Sequence, residues 1–259
     1  MKNMMKKILC GAAALCLMAS AAVAEFDTSK PIDVISREDG SGTRGAFVEL
    51  TGVEQKIDGK KVDMTTEDAQ ITNNTAVMMT TVAGDTYAIG YISLGSLNDS
   101  VKAVKVAGVE ATAENVKSGA YKVARPFNIA WKEDALSDAG KDFIAYILSS
   151  EGQAIVNANG YVGSDDAAAY EAAGVTGKVV VAGSSSVSPV MEKLAEAYMA
   201  ANTGVEIEIQ TSDSTTGMTS AIEGVCDNSE LQLDILNNPE FLSGVYHTDL
   251  MGHLYANHD

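Results

Sequence analysis

The chain has 259 residues, 46% of them hydrophobic and 20% charged, with only four prolines, a composition that excludes low-complexity and disordered classes and suits an ordered α/β protein. Its formal net charge of −17 argues against nucleic acid and anionic membrane surfaces as partners. The three cysteines are Cys10, Cys16 and Cys226, and the first two lie in a segment expected to be removed, which leaves one free thiol and no internal disulfide.

That segment reads as a secretory signal. Lys2, Lys6 and Lys7 form its charged region, Ile8 to Ala19 its apolar stretch, and Ala22-Val23-Ala24 a small-x-small cleavage site, so the mature chain is expected to start at Glu25. Cleavage takes three lysines and no acid, moving the formal charge from −17 to −20. About 235 residues remain, enough for one large domain or two ordinary lobes. The expected location is outside the cytoplasm, secreted into a periplasm or held at the extracytoplasmic surface.

The first ordered stretch is Pro31 to Leu50. Ile32, Val34 and Ile35 read as a buried strand, Asp39 to Thr43 as a small polar turn, and Ala46, Phe47, Val48 and Leu50 as one side of a helix. This order places the unpaired N–H groups of residues 41 to 44 at a helix N-terminus, where free donors and the helix dipole favour an anion. Ser41 and Thr43 add hydroxyls, Gly42 a backbone donor, and Arg37 a guanidinium fork suited to a tetrahedral oxyanion. Asp39 can orient that guanidinium or accept from a protonated oxygen of the ligand. Two other readings compete here. A capped helix without ligand uses the same Ser, Thr and Asp. Gly40, Gly42 and Gly45 also spell G-x-G-x-x-G, but residues 54–68 are too polar to supply the second strand and acid that a dinucleotide site needs.

Residues 53–68 read as a surface excursion, 69–84 as a helix, and Tyr87 to Leu94 as a strand. Val101 to Val106 alternates like a half-exposed strand, Thr112 to Ser118 reads as a short capped helix, and Tyr121 to Trp131 as a strand carrying Arg125-Pro126. Arg125 by itself reads as a solvated strand residue. Ser137 starts a helix with Ala139, Phe143, Ile144, Ile147 and Leu148 at helical spacing, continued by Glu151 to Asn159 and ended at Gly160-Tyr161-Val162. Residues 163–177 read as a linker.

Then the pattern restarts. Lys178 to Ala182 is a strand, Gly183 to Ser188 a second small-residue turn, and Pro189 fits a first helical turn ahead of Met191, Leu194, Ala195 and Tyr198. Val205 to Gln210 alternates strictly, and Asp213 to Gly217 is a third polar turn opening a helix over 217–224. Three strand-to-helix turns of Ser, Thr and Gly converging on one cleft would make a desolvated oxyanion site of many neutral donors. Each of these serines can also be only a helix cap.

The run S-R-E-D-G-S-G-T-R-G-A-F resembles the phosphate-loop signature of the extracytoplasmic phosphate-binding proteins of Pst-type ABC importers. Y-A-I-G-Y, the Arg125-Pro126 strand, E-G-Q with N-G-Y-V, and A-G-S-S-S-V-S-P are similar to further segments of that family, over about residues 30 to 227. The resemblance implies a two-lobed, type II periplasmic-binding-protein-like α/β fold. It implies phosphate contacts at Arg37, Ser41, Gly42, Thr43, Ser185, Ser186 and Ser214, with Asp39 as the partner of Arg37. It implies inorganic phosphate and a membrane ABC permease as partners, a monomer, no cofactor, no metal and no catalysis. The family's usual order is reversed, as in a circular permutation. The expected organisation is signal peptide 1–24, phosphate-loop lobe 25–165, linker 166–177, partial first-lobe segment 178–227 and a divergent tail 228–259. After Asp227 the family continues into a strand like D-I-G-M-A-S-R, whereas this chain does not, which reads as a truncation or frame-shift. His247, His253 and His258 fall in that tail at spacings that match no zinc pattern. A secreted phosphate-ester hydrolase is the competing function. It lacks Ser-x-x-Lys, G-x-S-x-G, and any His before residue 247. A secreted anion binder without a transporter is the other.

Overall fold

The computed structural model describes residues 26–132 and 134–223. The expected signal peptide, Cys226, the three histidines and the divergent tail lie outside the described residues.

Strand β1 (Asp33–Arg37) is the middle of a parallel three-stranded sheet, flanked by β4 (Gln70–Thr72) and β5 (Ala88–Ile89). Its register sets Arg37 beside Thr72 and Val34 beside Ile89. Helix α1 (Gly42–Thr51) follows β1 through the small-residue turn. The hydroxyl oxygen of Ser41 caps it by accepting from the Arg44 N–H at 3.3 Å. Gly52 ends it with φ of 75°, in the left-handed region that side chains avoid. Val48 is buried, and the Phe47 ring stacks on Tyr91 with centroids 4.2 Å apart.

Several expectations are corrected between α1 and residue 131. The polar stretch at 53–68 is on the surface, but it forms an antiparallel hairpin of β2 (Glu54–Ile57) and β3 (Lys60–Asp63). Its two-residue turn, Asp58-Gly59, has φ of 50° and 82°, the pair of positive angles that a twisted hairpin favours. The helix expected from residue 69 starts later, as α2 (Thr75–Gly84). Residues 70–72 are strand β4, and Asn74 stops the helix from extending backwards, because its side-chain oxygen accepts from the Val77 N–H at 2.9 Å. The strand expected at 87–94 keeps only β5, followed by a 3₁₀ turn at Leu94–Ser96. Segments 101–106 and 121–131 join no sheet; the first makes a single bridge, Val106 to Val109. Alternation alone does not make a strand without a partner edge, and Pro126 removes one ladder donor. The short helix α3 (Ala113–Lys117) forms with Thr112 as its cap.

Helices α4 (Asp138–Leu148) and α5 (Ser150–Ala158) break at Ser149. The Ser149 hydroxyl donates to the Tyr146 carbonyl at 2.6 Å and its oxygen accepts from the Gly152 N–H at 3.2 Å, so one residue closes one helix and opens the next. Strands β6 (Gly177–Ser184) and β7 (Val205–Ser212) pair in parallel over eight residues, joined by α6 (Ser188–Ala201) with Pro189 in its first turn. Helix α7 (Ser214–Glu223) starts three residues earlier than expected and packs on β6. Among the described residues no helix is long and apolar enough to cross a membrane.

The main core joins Ala139, Phe143, Tyr146 and Ile147 of α4 to Val190, Leu194 and Tyr198 of α6 and to Val205 and Ile207 of β7. The amphipathic face of α4 is covered by α6 and β6, while β1, α1, α2, β4 and β5 pack among themselves.

Candidate functional site

Four strand-to-helix turns stand at the C-terminal ends of parallel strands: β1 into α1, β4 into α2, β6 into α6 and β7 into α7. Ligands of open α/β sheets gather at such ends. Hydroxyl and amide groups of the four turns meet directly. The Thr43 hydroxyl donates to Ser186 Oγ at 3.0 Å, and Ser186 Oγ is 2.9 Å from Ser184 Oγ. Ser185 Oγ accepts from the Thr75 N–H at 3.2 Å and from Arg37 Nη2 at 3.2 Å. On the fourth turn, the Thr215 N–H donates to the Gly40 carbonyl at 3.2 Å.

The glycines at 40 and 42 are required by this convergence. Gly40 has φ of 83°, and a Cβ there would stand 2.6 Å from Asp213 Oδ1. A Cβ on Gly42 would run into Ser214 Oγ and lie 3.3 Å from Arg125 Nη2. Gly45, on the same helix, has nothing within 4 Å of its would-be Cβ. The two predict opposite signs. Gly42→Ala lowers stability by about 1–3 kcal/mol by forcing the turns apart. Gly45→Ala raises it by about 0.5–1 kcal/mol through helix propensity. Urea unfolding of the pair checks this; equal shifts would show that the α1–α7 contact does not constrain the fold.

Charge at the site centres on Arg37, whose side chain is fully buried. Its guanidinium grips Glu38 with two prongs, Nε to Oε2 at 2.7 Å and Nη2 to Oε1 at 2.6 Å. Here the sequence expectation for Asp39 is corrected. Asp39 faces outward and pairs with Arg44 at 2.9 Å, and Arg44 also holds Asp63 and the Arg37 carbonyl, both at 2.8 Å. An acid one residue beyond the strand end folds back on Arg37, whereas the next one lies at the exposed bend before Gly40. Burial pushes the Asp213 carboxyl up, but the hydroxyl and N–H of Thr216 and the N–H of Thr215 outweigh it and hold the group below its ordinary range.

The structure thus brings together Arg37, Gly42, Thr43, Ser185, Ser186 and Ser214, with Ser41 as the buried cap beneath them, and turns Asp39 away. Sequence reasoning missed Glu38 and Thr75. For Thr75 the signal was N-N-T after a short strand, a helix start at the same height as the others. A hollow of about 420 Å³ beside the first turn includes Glu38, Asp39, Glu67 and Arg44 in its lining, a carboxylate excess that disfavours an anion. Among the described residues no cluster of His, Cys, Asp and Glu could hold a metal ion.

Residues 12–151 match the family described as "PBP superfamily domain". A protein of Streptococcus agalactiae serotype V, "Phosphate-binding protein PstS 2", is 59% identical over 197 residues, which is 76% of this chain and 67% of the relative. Its namesake in Streptococcus pneumoniae serotype 4 is 45% identical over 207 residues, 80% of this chain and 71% of that one. The crystal structure of a phosphate ABC transporter, phosphate-binding protein from Streptococcus pneumoniae TIGR4 shares 46% identity and matches with a TM-score of 0.59, over 75% of this chain and 76% of that chain.

Proposed function

The chain belongs to the PBP superfamily and, within it, to the PstS phosphate-binding proteins, and from that premise we propose that it captures inorganic phosphate outside the cytoplasm and delivers it to a membrane ABC permease. It is a binding protein and not an enzyme. The observation that carries the reading is the meeting of four helix-opening turns around Arg37, with Thr43 on Ser186 and both Arg37 and Thr75 on Ser185.

In this reading Arg37, Ser41, Gly42, Thr43, Ser185, Ser186 and Ser214 line the phosphate site, and Thr75 adds a donor. The hydroxyls now bond one another. Phosphate oxygens would take over their donors, so binding exchanges one set of hydrogen bonds for a stronger, charge-assisted set. That exchange needs the β1 and β6 turns to part and close again, as hinge-type binders do. Asp39 stays at the rim, holding Arg44.

The lobe arrangement belongs to the same proposal: the phosphate-loop segment comes first and the β6–α6–β7 segment second, in a monomer. The 197-residue match supports a shared order, since it is longer than either segment alone. Titration calorimetry of the full chain with phosphate and sulfate in parallel tests the function. Saturable phosphate heat is expected, with sulfate as the unprotonated dianion for comparison. Absence of phosphate binding would overturn it.

A further inference from the structure

The chain has three arginines, and two of them are neutralised. Arg37 is locked on Glu38, and Arg44 on Asp39 and Asp63. Arg125 differs. Its Nη2 donates to the Gly42 carbonyl at 2.6 Å, and among the described residues no carboxylate lies within ion-pair distance of it. The group is exposed, so solvent and solutes reach it. It also abuts the turn cluster: the point where a Gly42 Cβ would sit is 3.3 Å from Arg125 Nη2 and is already crowded by Ser214 Oγ.

A charge argument follows. A bound phosphate dianion has to be balanced inside a chain of net charge −17. The Arg37–Glu38 pair contributes no net charge, and the helix N-termini contribute only partial charges. We propose that Arg125 is a specificity-determining contact of the anion site, its guanidinium leaving the neutral Gly42 carbonyl for the phosphate oxygens and supplying the net positive charge that favours the dianion. An ionised acceptor outcompetes a carbonyl for the same donor, so the swing is downhill. This inference rests on the phosphate reading above.

The test is phosphate affinity of the full chain measured by calorimetry at pH values spanning the second ionisation of phosphate, for the parent, R125Q and R125K. The parent should bind more tightly as pH rises and the dianion fills. R125Q should lose on the order of 10- to 100-fold at the alkaline end and little at the acid end, flattening the profile. R125K keeps the charge and should keep the slope. Thermal unfolding without phosphate should match across the three, because the side chain is exposed. R125Q with the parent's affinity and slope would overturn the proposal. So would a loss uniform in pH that R125K shares, which marks a structural role. A parent that binds no phosphate overturns the underlying reading, and this one with it.

Discussion

Replacing Arg37 with glutamine should lower phosphate affinity by on the order of a thousandfold and cost the unliganded protein about 3 kcal/mol. Both effects come from burial. The guanidinium is fully enclosed, donates to Glu38 through two nitrogens and reaches Ser185 with the second prong. Glutamine removes the charge and leaves the Glu38 carboxylate, itself only 20% exposed, without its cation. Breaking a buried pair from one side costs more than the pair contributes. Glu38→Gln provides the opposite sign. It should also destabilise, yet bind phosphate more tightly, because the Arg37 charge is no longer offset. Calorimetry and urea unfolding of both variants check the pair. If Arg37→Gln binds as the parent does, the anion is not held at this turn.

How much of this was legible beforehand depends on whether a residue's role is local. The strand β1, its turn and α1 follow from P-I-D-V-I-S and S-G-T-R-G, because a β-branched run, a capping serine and a helix start are all short-range patterns; which residues β1 buries does not follow, since Ile32 and Val34 are exposed and Ile35, Ser36 and Arg37 are the buried ones. The β6–α6–β7 unit is legible for the same reason. The assignment of Glu38 rather than Asp39 to Arg37 was not, since it depends on where the chain bends after the strand. Segments 101–106 and 121–131 have strand-like sequences and join no sheet, because alternation reports which side chains prefer burial and not whether a partner edge exists. The Asp58-Gly59 hairpin is legible in the sequence, since the dipeptide is a direct turn signal even in a polar stretch. The placement of α4 against α6 was out of reach, because its apolar stripe specifies that it must be covered and is silent about what covers it.

Asp142 carries the second large effect, away from the site. It sits on α4 with 6% exposure, and its Oδ2 accepts from the Tyr198 hydroxyl at 2.7 Å and the Tyr170 hydroxyl at 2.6 Å. Its Oδ1 accepts from the Ala173 N–H at 3.3 Å. One carboxylate therefore ties α4, α6 and the connecting segment together. Asp142→Ala should destabilise by about 3–5 kcal/mol, because the fully buried Tyr198 hydroxyl loses its acceptor; Tyr170 keeps Asn202 Oδ1 at 3.2 Å. The same cluster sets an alkaline limit. Burial first, and the Asp142 carboxylate second, push Tyr170 up from 10.0 to about 12 and push Tyr198 upward as well. In the unfolded chain both tyrosines ionise near the ordinary value, so the folded state binds more protons above it. The stability contributed is complete below about pH 10, falls as pH rises, and is gone for Tyr170 beyond about pH 12. Urea unfolding at stepped pH should show that fall, and Tyr170→Phe should make it shallower. A parent whose stability stays flat across this window would mean that the tyrosine hydroxyls are not buried on Asp142. The cluster matters to binding because α6 begins at the Ser184–Ser188 turn. Loosening its anchor on α4 moves Ser185 and Ser186 relative to Arg37 and Thr43, so Asp142→Ala should weaken phosphate binding without touching any group that contacts the ion.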